Sequence, residues 1–133
     1  MTPTLKAILE SDVCKCGVGI NGDLHKLRLD FGVHLRAVLD VNVETNRRCQ
    51  PGNTTLVEHT SFTLSEHCER LLGRALPKPQ SLRCGNWEQF PLSAEQQFYA
   101  AMDAYASLLV GQAVVRLPLL PGPWPGVKHP LPG

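Results

Sequence analysis

Residues 14–41 read CKCGVGINGDLHKLRLDFGVHLRAVLDV, and the order of local signals within them decides the fold. Cys14 to Ile20 is small, β-branched and apolar, almost free of polar residues and too short for a buried helix, which predicts a buried strand. Asn21-Gly22 breaks the run. Asp23 then opens a segment with Leu24, Leu27 and Phe31 at i, i+3 and i+7, a helix that Gly32 stops. A second apolar run, Ala37-Val38-Leu39-Asp40-Val41, predicts another strand. Strand, helix, strand over short connections is a βαβ unit, so the two strands should run parallel. The expected class is α/β.

Outward from this unit the signals are mostly helical. Leu5, Ile8 and Leu9 upstream have the spacing of a short amphipathic helix. Downstream, Asn42 to Arg48 has room for two helical turns, and Cys49-Gln50-Pro51-Gly52-Asn53 is turn chemistry. Thr63-Leu-Ser-Glu66 reads as a capping box, with Leu64, Cys68, Leu71 and Leu72 along the helix it starts and Gly73 at its end. Pro77, Pro79 and Gly85 punctuate a loop that runs to Pro91. Ser93-Ala-Glu-Gln96 is a second capping box, opening the longest periodic segment. Its stripe of Phe98, Met102, Tyr105 and Leu109 is expected to face the core, over about six turns that end before Pro118.

The chain has 133 residues, about one domain, with 43% hydrophobic and 19% charged residues, so it is neither a disordered acidic chain nor a coiled coil. A formal charge of +1 excludes histone-like binding of nucleic acid while leaving room for a local basic patch. No stretch approaches the roughly 20 apolar residues of a membrane span, and the start lacks the pattern of a secretory signal. With no export signal, the five cysteines read as reduced thiols of an intracellular protein. From Pro118 onward lie six of the eleven prolines, a composition that predicts an extended, disordered tail. The division expected is therefore a domain over 1–117 and a tail over 118–133, whose Pro118-Leu-Leu-Pro121 matches the common P-x-x-P pattern.

Three groups of residues carry potential chemistry. Tyr99 and Asp103, at i and i+4, put a phenol and a carboxylate on one helical face one turn apart, though ordinary surface residues of a helix explain this window as well. Asp23 sits at the carboxyl end of a buried strand, where α/β folds place functional groups, although on geometry alone capping of the following helix explains it better. Arg70, Arg74, Lys78 and Arg83 fall in a window, Arg70 to Trp87, that contains no acid and could track a phosphate backbone. Trp87 there reads better as a loop anchor than as a base-stacking platform. The cysteines and histidines show no zinc spacing, and Gly17-x-Gly19-x-x-Gly22 lies largely within the strand, so it reads as a coincidental dinucleotide fingerprint.

Val18-Gly-Ile-Asn-Gly-Asp23-Leu-His-Lys-Leu27, Asn86-Trp-Glu-Gln-Phe-Pro-Leu-Ser93 and Tyr99-Ala-Ala-Met-Asp103-Ala-Tyr-Ala106 occur in that order. Together they resemble the 3′–5′ exonuclease family, in its Werner-syndrome-type branch, with ribonuclease D a more distant relative. The resemblance runs from about Leu5 to Leu117. It implies an RNase H-like fold in which four carboxylates and a tyrosine bind two divalent ions, Mg²⁺ or Mn²⁺. By motif, Asp23 and Asp103 correspond to two of the metal-binding aspartates, and Tyr99 to the tyrosine that orients the attacking water. Hard divalent ions take oxygen ligands, and a pair of them activates water and stabilises the departing 3′-oxygen. The implied partner is the 3′ end of DNA or RNA, with a nuclear role in a eukaryote.

The family's first block, an Asp-x-Glu pair on the first strand, occurs nowhere in the chain. The expectation is a domain truncated at its N-terminus and lacking the first strands, which holds metal poorly and is inactive alone. The strand at Cys14–Ile20 would then keep an open edge, free to pair with another protein. The alternative to an exonuclease is a non-catalytic module that binds nucleic acid through Arg70–Arg83, or a partner through that edge or the proline-rich tail.

Overall fold

The computed structural model describes residues 1–48, 61–77 and 80–120. A surface helix, α1 (Pro3–Glu10), leads into β1 (Lys15–Gly17), α2 (Asn21–Phe31), β2 (Val38–Asp40) and α3 (Val41–Arg47). After residues 49–60 come α4 (Leu64–His67), continued by a π-helical turn over Cys68–Leu72, then α5 (Gln80–Arg83) and the long α6 (Ala94–Val114). The strands pair in parallel, with Lys15 opposite Val38, Cys16 opposite Leu39 and Gly17 opposite Asp40. The βαβ reading of the sequence is therefore correct.

Both strands are shorter than their apolar runs, for one reason. Gly19 takes a left-handed φ of 67° and turns the chain out of the ladder. The carboxylate of Asp40 then accepts hydrogen bonds from the backbone N–H groups of Gly19 (3.2 Å), Ile20 (3.0 Å) and Asn42 (3.0 Å). One side chain thus fastens the exit from β1 and caps α3, so that Val41, expected at the end of a strand, begins a helix. Asp23 does not cap α2. That helix starts two residues earlier, after Ile20, and Asp23 lies inside its first turn. Gly32, with φ 65°, closes α2 as predicted, its N–H bonding to the Arg28 carbonyl and that of Val33 to Leu27.

The buried face of α6 differs from the predicted one. Phe98 is 67% exposed and Tyr105 56%, whereas Ala106, Val110, Gly111 and Val114 are buried. The true stripe is turned by about one residue, or 100°, from the Phe98–Leu109 stripe. Close approach outweighs side-chain size here: β1 crosses α6 where the side chains are smallest. The Cys16 thiol donates to the Ser107 carbonyl at 3.2 Å, and a methyl group on Gly111 would overlap its sulfur. Val41, Cys68, Ala106, Val110 and Val114 form the core, with Cys16, Val18, Leu39 and Leu64 packed against it.

The ends of α6 are both well satisfied. At the start, Ser93 Oγ accepts from Gln96 N–H (3.1 Å) while the Gln96 side chain accepts from Ser93 N–H (2.9 Å), the predicted capping box. At Thr63 only the hydroxyl half of the other expected box is present, accepting from Glu66 N–H at 3.2 Å. Beyond the end of α6, Arg48 Nη1 donates to the carbonyls of Val115 and Leu117 at 2.9 and 2.8 Å, where a cation also suits the helix dipole. Leu119 bridges Arg48, and Leu120 is buried, so the first residues of the proline-rich segment are tied down; 121–133 and the Cys49–Asn53 turn lie outside the described residues. Among the described residues no helix is long and apolar enough to cross a membrane.

Gly111→Ala is expected to destabilise the fold by about 1–2 kcal/mol, because the added methyl meets Cys16 Sγ. On a Cys16→Ala background the same change is expected to be neutral or stabilising, since alanine is the better helix former. Urea denaturation of the four-member cycle measures both.

Candidate active site

Tyr99 and Asp103 lie on the line that Ala106, Val110 and Val114 continue into the core, so the pair forms the outer end of the buried stripe. Both are half-buried. They border a cavity of about 80 Å³ whose remaining walls include Leu76, Pro77, Leu82 and Met102. A groove of about 420 Å³ shares Leu76, Pro77 and Met102 with it and reaches Leu109. Burial pushes the Cys68 thiol up from its ordinary pKa, and the Asp103 carboxylate raises it further. The Asp103 carboxylate is thus close enough to Cys68 to act on it electrostatically.

The Asn86–Ser93 block is built to hold Tyr99. Gln96, buried, spends its amide N–H on the Asn86 carbonyl at 3.0 Å in addition to its capping bonds. Trp87 donates its indole N–H to the Leu82 carbonyl at 3.0 Å, and its ring lies 5.9 Å from that of Tyr99. Trp87 is thus a loop anchor that joins α5 to α6 and flanks the phenol.

Asp23 is exposed on the first turn of α2, six residues beyond the β1–β2 ladder. Of the basic window, Arg74 and Arg83 are exposed, while Lys78 lies outside the described residues. Arg70 is half-buried, with its guanidinium 4.1 Å above the Phe62 ring and Nη1 3.4 Å from His67 Nδ1. Among the described residues no group of three or more His, Cys, Asp or Glu side chains is placed to hold a metal ion. Two hard divalent ions need more oxygen ligands than Asp23 and Asp103 supply. The described donor set does not fit a complete two-metal centre.

Sequence reasoning passed over two structural supports. One is Asp40, which reads as one more strand residue; its position just before a helix start was the available signal. The other is His67, fully buried, with Nε2 2.8 Å from Asn42 Oδ1 and its ring edge-on to Phe62. An arginine only donates, so Nδ1 accepts and Nε2 carries the proton that goes to Asn42. Asn42 Oδ1 also accepts from Phe62 N–H at 3.1 Å, which ties α3 to the start of α4. Burial, then the Arg70 cation, lowers the His67 pKa from 6.5 to about 4. The isolated reading of a scattered histidine gave no hint of this network.

Residues 1–116 match the 3′-5′ exonuclease family. The chain belongs to that family. It is 38% identical over 114 residues to the bifunctional 3′-5′ exonuclease/ATP-dependent helicase WRN of Mus musculus, covering 85% of the chain and 8% of that protein. It is 37% identical over 111 residues to a 3′-5′ exonuclease of Arabidopsis thaliana, covering 84% of the chain and 36% of that protein. Its fold superposes on Trypanosoma brucei RNase D with a TM-score of 0.68 at 18% identity, over 85% of the chain and 41% of that structure. The fold is therefore RNase H-like, and the chain spans well under half the length of each of these relatives.

Two measurements check the supports. Asp40→Ala removes the acceptor of three backbone N–H groups and is expected to cost about 1–3 kcal/mol in urea denaturation. For His67, the unfolded chain binds the extra proton first as pH falls, because the folded pKa is the lower one. Stability is expected to be fully present above pH 6.5 and to decline as pH drops toward about 4, by roughly 2–3 kcal/mol in total. His67→Gln should flatten that part of the pH–stability curve.

Proposed function

We propose that Asp23, Tyr99 and Asp103 are this chain's share of a 3′–5′ exonuclease centre acting on the 3′ end of a nucleic acid. The observation that carries the reading is the place of Tyr99 and Asp103 at the open end of a buried helical stripe, beside a cavity and braced by Trp87. Support for Asp23 comes from connectivity. β1 crosses α6 at Ser107, one turn beyond Asp103, and the chain reaches Asp23 six residues after the strand ends. In this reading Asp23 and Asp103 would supply carboxylate oxygens to Mg²⁺ or Mn²⁺, and the Tyr99 hydroxyl would hold a water. Arg74, Lys78 and Arg83 would contact the phosphate backbone, while Arg70 is stacked on Phe62.

We further infer that the chain binds a 3′ end without turning it over. Two carboxylates hold divalent ions weakly, and the sequence has no Asp-x-Glu pair to complete the set. A second reading, a docking module, is favoured by the ladder: among the described residues β1 pairs only with β2, so its other edge has no partner strand.

Purified chain with Mn²⁺ and 3′-labelled single-stranded DNA separates these outcomes. The expected result is retention of the DNA in a gel shift, weakened several-fold by Arg74→Ala with Arg83→Ala, and no ladder of shortened products. Mn²⁺-dependent laddering that Asp103→Ala abolishes would contradict the inactivity. Absence of any DNA retention would leave the docking module as the better reading.

A further inference from the structure

We propose that the groove between α2 and residues 33–35 is a phosphate-binding site, distinct from the Asp23–Asp103 centre. Its volume is about 310 Å³, room for a phosphate group together with several waters. Asn21, Leu24, His25 and Arg28 line it at i, i+3, i+4 and i+7 along one face of α2. The fully buried Val33 forms part of its lining, and His34 lines it from the following turn. Every polar group there is an amide, an imidazole or a guanidinium, and no acid lines the groove. The acids of α2 are segregated: Asp23 and Asp30, at two and nine residues from Asn21, fall on the opposite side of the helix. Among the described residues no hydrogen bond or ion pair engages the side chains of His25, Arg28 or His34.

The chemistry selects the ligand. A guanidinium offers a planar fork of N–H donors that matches two oxygens of a phosphate, and each imidazole adds a donor whatever its charge. Donors arriving from two elements suit a tetrahedral anion with several acceptor oxygens. The site takes a phosphate group, whether free or in the backbone of a nucleic acid, and it does not depend on the exonuclease reading because Asp23 points away from it.

The test uses the ¹⁵N-labelled full chain without metal, titrated with sodium phosphate at constant ionic strength and separately with a short oligothymidylate. The expected result is saturable movement of the amide signals of residues 21–28 and 33–35 in phosphate. Arg28→Gln should weaken that binding about tenfold and His34→Gln about threefold, with the α6 signals unchanged as proof of an intact fold. The same signals moving with the oligonucleotide would make the backbone phosphate the ligand; movement with phosphate alone would make it a free phosphate group. No saturable shift in either titration, or equal phosphate affinity in both variants and the parent chain, overturns the proposal. No metal or hydrolysis enters these readouts, so they fail or succeed separately from the exonuclease assay.

Discussion

Cys16 reaches the Ser107 carbonyl because residue 111, one turn further along α6, has no side chain. That contact sets how deeply the strand pair lies against the helix and which face of the helix is buried. Since Asp103 precedes Ser107 by one turn, and Ser107 Oγ in turn donates to the Asp103 carbonyl at 2.8 Å, the crossing also fixes where the Tyr99–Asp103 pair emerges. The same strand leads, through the turn held by Asp40, to Asp23. Packing and candidate chemistry thus share one constraint, and a methyl group at the crossing point would disturb both.

Much of this was legible from local patterns. The parallel pair follows from two apolar runs and the helix between them, and Ser93 with Gln96 announces the start of α6 through the chemistry of its cap. The buried face of α6 was misjudged because the helix is apolar on more than one side: Phe98 and Tyr105 are large, and size suggests the core. Ala106 and Gly111 look uninformative as single letters, yet they are what allows another backbone to approach. The strands were overextended because hydrophobicity does not announce a left-handed glycine or a carboxylate that collects three N–H groups. Two of the three bonds to Asp40 are tertiary, joining residues about 20 apart in sequence.

The Asn42–His67–Arg70–Phe62 cluster illustrates a different limit. The meaning of its members comes from packing together around the buried His67. The histidine is held neutral so that one nitrogen can accept from arginine and the other donate to the amide. Arg70 is then as much a structural cation as a candidate for phosphate, which leaves Arg74 and Arg83 as the exposed described members of the basic window. Family membership explains why the three sequence blocks occur in order; the physical work of the middle block is to brace Tyr99 through Trp87 and Gln96.

The proposed centre requires that the Asp23 turn and the Tyr99–Asp103 pair flank a common pocket. Paramagnetic broadening by Mn²⁺ reads this directly in the ¹⁵N-labelled chain, even when the ion binds weakly. The account predicts that amides around Asp23 and those from Tyr99 to Asp103 lose intensity together, at the same Mn²⁺ concentration, and that Asp103→Ala diminishes both effects. Broadening confined to one of the two segments, or an Asp23 response untouched by Asp103→Ala, would contradict it.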